Sequence, residues 1–98
     1  MTETQHSKTK VNEKKFVIRN KLGLHARPAA LFVQAANRFQ CEVLVSKRKE
    51  QVNGKSIMGI MTLAVGMGSS ITVRTEGADA AKAMNEITKL IYGNFGED

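Results

Sequence analysis

Pro28 is the only proline in the 98-residue chain, and it fixes the point at which one helix has to begin. A proline has no N–H to donate and a φ already close to the helical value, so it belongs in a first turn. Phe32, Ala35, Ala36 and Phe39 follow it at helical spacing, which predicts a helix from about Ala26 to Asn37. His25 then stands at or just before the N-cap, where unpaired backbone N–H groups and the positive end of the helix dipole point outward. Such a position receives anions, phosphate among them, so the imidazole of His25 is a candidate phosphoryl acceptor. Arg27 can add a charge-assisted contact to the phosphoryl oxygens.

The rest of the chain divides into short alternating and helical stretches. Residues 1–10 are polar and aperiodic and read as a flexible N-terminal arm, leaving 11–98 as a single domain. Phe16 and Ile18 alternate with Val17 and Arg19 as a first strand, and Asn20-Lys21-Leu22-Gly23 is a turn leading to His25. Val43 and Val45 alternate with Glu42 and Leu44 as a second strand. Lys47-Arg48-Lys49-Glu50 reads as a solvated hairpin tip, and Gln51-Val52 as a short third strand. Ser56 is placed to cap a short helix that starts at Ile57. Ile57, Met58, Ile60 and Met61 leave that helix apolar on more than one side, so core and contact surface both remain open readings for them.

Gly66-Met67-Gly68-Ser69-Ser70 lacks the spacing of a phosphate-binding loop and reads as a plain turn before a last strand containing Ile71 and Val73. Asp79 is placed to cap a final helix with the apolar stripe Ala80, Ala83, Met84, Ile87, Leu90 and Ile91. Gly93 is expected to end that helix, and Glu97 and Asp98 to be loose. The order β-α-β-β-α-β-α predicts an α+β two-layer sandwich, a mainly antiparallel four-stranded sheet covered on one face by three helices.

Composition narrows the chemistry. The net charge is +6, with 12 basic and 4 acidic side chains in residues 1–60 against 3 and 5 in the remainder, so the half holding His25 favours acidic partners or an anionic substrate. Nucleic acid is disfavoured by the presence of only five aromatics, by the scattering of the basic residues and by the lack of a recognisable binding motif. The lone cysteine, Cys41, excludes an internal disulfide framework and reads as a small apolar residue at a strand start, which makes a cytoplasmic setting the default. No apolar run is long enough to cross a bilayer, and no ligand spacing suggests a metal, so neither a membrane role nor a cofactor is expected. Pairing His25 with Ser56 or Cys41 as a hydrolytic nucleophile finds no supporting motif.

Gly23-Leu24-His25-Ala26-Arg27-Pro28-Ala29-Ala30, followed in register by Gly54-Lys55-Ser56-Ile57-Met58-Gly59-Ile60-Met61, resembles the histidine-containing phosphocarrier (HPr) family of the bacterial phosphoenolpyruvate-dependent phosphotransferase system. The resemblance runs from about Glu13 to Gly96. It implies an open-faced sandwich with the first and fourth strands adjacent. It further implies that His25 is phosphorylated on Nδ1 by phosphorylated enzyme I and passes the group to EIIA domains of sugar permeases, with Arg27 assisting. The protein would be a stoichiometric, monomeric carrier and not an enzyme. Ser56 matches the family's regulatory serine, the substrate of HPr kinase/phosphorylase, and a transcriptional regulator is a further expected partner. Leu24, Ile57, Met58 and Met61 match the docking surface. Leu22, three before the histidine, departs from the small polar residue often found there, and the N-terminal arm is longer than usual. Both leave a nitrogen-type or incomplete phosphotransferase chain as the alternative setting.

Overall fold

A computed structural model of the chain describes residues 10–97. The elements are β1 (Val11–Val17), α1 (Ala26–Ala36), β2 (Glu42–Lys47), β3 (Glu50–Asn53), α2 (Ile57–Thr62), β4 (Ser70–Glu76) and α3 (Ala80–Tyr92), with a 3-10 turn at Asn94–Gly96. The strands form one sheet in the order β1-β4-β2-β3, and its pairings are antiparallel. The order of elements and the adjacency of β1 and β4 agree with expectation.

Period-two alternation decides which face is covered. Phe16, Val43, Val45, Ile71, Val73 and Thr75 are buried on the inner face, while Lys15, Thr72 and Ser46 form one row across the outer face. The helices close over the inner face: α1 buries Pro28, Ala29, Phe32 and Ala36, and α3 buries Ala80, Ala83, Met84, Ile87 and Ile91. The hydroxyl that Thr75 brings to the inner face is satisfied, because its Oγ1 donates to the Ala80 carbonyl at 2.9 Å.

Two expectations about the ends of elements are corrected. Asp79 does stand at the N-cap of α3, but its carboxylate makes no cap bond; it accepts instead from the backbone N–H groups of Gln40 and Cys41, both at 2.9 Å. Those amides, Gln40 first, hold the Asp79 carboxyl below the usual carboxylate range. Gly93 ends α3 as expected, as its C-cap with φ −85°, and the left-handed residues come one and two positions later, at Asn94 and Phe95. That reversal drives Phe95 into the core, where it is 2% exposed. The second correction, at Glu97, belongs to the site described below.

Cys41 is buried immediately before β2, as read from the sequence. Burial, reinforced by Asp79, pushes its thiol up and away from the reactive thiolate. The expected N-terminal arm lies outside the described residues apart from Lys10, whose carbonyl accepts from the Gly77 amide at 2.9 Å.

Candidate phosphoryl-accepting site

The turn before α1 aims the candidate acceptor. Gly23 donates to the Asn20 carbonyl at 3.0 Å, and Leu24 donates to the Val65 carbonyl at 2.8 Å, pinning the turn against the segment that follows α2. Gly23 has φ +65°, and a Cβ built on it would stand 2.2 Å from that same Val65 oxygen, so both conformation and space require glycine there.

His25 is the N-cap of α1, with extended backbone and with its carbonyl accepting the first intrahelical bond from Ala29. Its side chain makes no capping bond, and no acidic residue occupies the first turn. Pro28 contributes no N–H, so the amides of Ala26 and Arg27 are left to face an incoming anion. The exposed Arg27 side chain forms no ion pair among the described residues, yet it lies near enough to Glu97 for its charge to help depress that carboxyl.

Glu97 is the neighbour of His25 that sequence reasoning missed. Its Oε2 is 3.0 Å from His25 Nε2, and its Oε1 accepts from Asn20 Nδ2 at 2.8 Å. Asn20, 1% exposed, also donates from Nδ2 to the Asn94 carbonyl at 2.8 Å. The Asn20 hydrogen bond, then the bond and charge of His25 and the charge of Arg27, outweigh partial desolvation and hold Glu97 below the usual carboxylate range. An ionised carboxylate only accepts, so Nε2 is the donor in this pair, and in the neutral ring the lone pair lies on Nδ1. The expected loose end is therefore tied down at Glu97, while Asp98 lies outside the described residues. The available clue was Asn94-Phe95-Gly96: an aromatic after the helix stop, flanked by residues tolerant of positive φ, signals a chain that turns back into the core.

The second motif forms α2, which packs beside α1. Ser56 Oγ accepts from the Gly59 amide at 3.0 Å, the N-cap bond expected of it. Ile60 is fully buried, whereas Ile57, Met58 and Met61 are exposed, so the apolar set divides between core and surface. Leu24 corrects the expectation of a contact role: it is 4% exposed, because the Leu24–Val65 backbone bond turns its side chain into the core. Leu22, 72% exposed, is the large apolar residue that the turn leaves outside. Among the described residues no group of side chains could hold a metal ion, and no helix is long and apolar enough to cross a membrane.

A family model described as the PTS HPr component phosphorylation site matches residues 12–92. The chain belongs to the HPr family. The phosphocarrier protein HPr of Neisseria meningitidis serogroup A is 55% identical over 78 residues, covering 80% of this chain and 88% of that protein. The HPr-like protein Crh of Halalkalibacterium halodurans is 53% identical over 79 residues, covering 81% and 94%. The crystal structure of HPr-C-His from Thermoanaerobacter tengcongensis superposes with a TM-score of 0.86 at 47% identity, covering 89% of this chain and 98% of that one. The open-faced sandwich is thus the HPr fold, and a phosphocarrier role in the phosphotransferase system goes with the family.

Proposed function

We propose that His25 accepts a phosphoryl group on Nδ1 from phosphorylated enzyme I and hands it to EIIA domains of sugar permeases. The observation that supports this reading is the His25–Glu97 pair: it engages Nε2, so that in the neutral ring the nucleophilic lone pair is the one on Nδ1, at the mouth of α1. In the forward step the Nδ1 lone pair attacks phosphorus and an N–P bond forms at His25. The bond to the donor breaks, and its electron pair returns to the donor. The Ala26 and Arg27 amides and the Arg27 guanidinium take the phosphoryl oxygens as they shift toward the ring. Glu97 keeps the proton on Nε2 and offsets the positive charge the ring gains. Transfer onward reverses the step, so the chain is a stoichiometric carrier with no turnover of its own.

An exposed nucleophile between preformed donors needs a flat partner surface more than a deep pocket. Ile57, Met58 and Met61 supply adaptable apolar contacts of that kind, and Leu22 extends the exposed apolar set. The carrier acts as a cytoplasmic monomer. Ser56 is the regulatory site for HPr kinase/phosphorylase: a phosphate there adds about −1.5 to −2 charge beside this surface and repels an acidic enzyme I. A transcriptional regulator that binds the serine-phosphorylated form completes the set of partners.

With phosphoenolpyruvate and a cognate enzyme I, the protein should gain one acid-labile phosphate that His25→Ala abolishes. An acid-stable label that survives this substitution refutes the assignment. Ser56→Asp should slow loading of His25, and equal rates would leave Ser56 a helix cap only.

A further inference from the structure

Two stretches that the phosphocarrier reading leaves without a role, the basic hairpin tip and the glycine-containing turn before β4, meet on the open side of the sheet. They line one shallow cleft of about 670 Å³, whose walls include Lys15, Lys47, Arg48, Ser69, Ser70 and Thr72. Among the described residues, no acidic side chain lines it. The register explains the convergence. Lys15 and Ser46 both stand opposite Thr72, one from β1 and one from β2, and β2 ends one residue later, so the hairpin turn at Arg48 lies next to the start of β4.

Lys15 and Arg48 stand there without being neutralised. Lys47 shares its strand parity with the inward-facing Val43 and Val45, and its Nζ donates to the Ala64 carbonyl at 2.8 Å and to the Leu63 carbonyl at 3.4 Å, so its ammonium is engaged beyond α2 and only its stem lines the cleft. Among the described residues, Lys15, Lys47 and Arg48 form no ion pair. Arg48 adopts φ +56°, which turns the hairpin tightly at this corner. Gly68, with φ +88° and nothing within 4 Å of where a Cβ would be, leaves the floor of the turn open.

We infer that this cleft binds the di- or triphosphate group of a small molecule. Two unneutralised cations, Lys15 and Arg48, complement the charge of such a group, and the Ser69, Ser70 and Thr72 hydroxyls can donate to its bridging and terminal oxygens. The volume is that of small-molecule sites, and Met67, 63% exposed on the rim, offers a polarizable contact for the part of the ligand beyond the phosphates. The inference is independent of phosphoryl transfer at His25.

The test is an amide chemical-shift titration of the full chain with inorganic pyrophosphate and, separately, with ADP, at about 50 mM salt so that screening stays weak. Shifts centred on residues 67–72, retained in His25→Ala and weakened about tenfold or more in Lys15→Gln/Arg48→Gln, are expected. Tighter binding of ADP than of pyrophosphate assigns a nucleotide, and equal binding assigns the phosphate chain alone; either supports the site. Shifts confined to the amides of Ala26 and Arg27, or an affinity unchanged by the double substitution, would overturn it. Lys15 and Arg48 are exposed, and an unchanged amide spectrum elsewhere confirms that the double variant is folded.

Discussion

Replacing Gly23 by alanine tests the geometry of the turn that carries His25. The added methyl would sit 2.2 Å from the Val65 carbonyl oxygen and 2.7 Å from the Gly66 Cα, and the residue would keep φ +65°. Holding an L-residue left-handed costs about 1–2 kcal/mol, and the Val65 carbonyl has to retreat by roughly 1 Å to reach ordinary contact. That retreat breaks the 2.8 Å bond from the Leu24 amide, next to a side chain in the core. Leaving the pair unmade adds about 1–3 kcal/mol, for a total of about 2–5 kcal/mol, a large share of the roughly 5–15 kcal/mol that holds a small domain. Urea unfolding at constant m-value measures it. The same variant should load phosphate more slowly, because the displaced turn carries His25 Nδ1 out of alignment with the α1 amides. Gly66→Ala is the control, since nothing lies within 4 Å of its Cβ and its φ is ordinary; it should be close to neutral. A loss below about 0.5 kcal/mol in Gly23→Ala, or equal losses in the two variants, refutes the reasoning.

Arg27→Ala should slow phosphoryl transfer while leaving the unfolding midpoint within experimental error, and an unchanged transfer rate would remove the guanidinium from the mechanism. Leu24→Ala and Met58→Ala should separate core from surface: the first costs about 2–4 kcal/mol in urea unfolding, whereas the second spares stability and weakens binding to enzyme I in calorimetry. Glu97 has its carboxyl depressed in the fold, so its contribution to stability is fully present above the ordinary value of 4.5 and is lost as pH falls through the lower folded value. Glu97→Gln should therefore flatten the acid limb of the stability profile below about pH 4.5, and an unaltered limb would show that the pair is not formed in solution.

Local physics made most of the frame readable. A strand with one covered face writes its alternation into the chain, which is why Val43 and Val45 separate from Glu42 and Leu44 by pattern alone. Pro28 and Ser56 mark helix starts through backbone chemistry that acts within one turn, and both stand where that chemistry puts them. The misreadings share a cause, since each concerns a side chain whose partner is distant in the chain. The Asp79 carboxylate had a local use as a cap, but the amides of Gln40 and Cys41 claimed it. Leu24 lies in an exposed motif, yet its orientation follows from a bond to Val65. Glu97 carries no periodic signal, and only the left-handed pair at Asn94 and Phe95 brings it back to His25.

The imidazole and the carboxylate that holds it stand 72 positions apart, so the ribosome makes one well before the other. A nascent or prematurely terminated chain that stops short of Glu97 displays the histidine without the finished pair, and Asn20 has no carboxylate to clasp. The pair can therefore form only after translation has passed the end of the last helix.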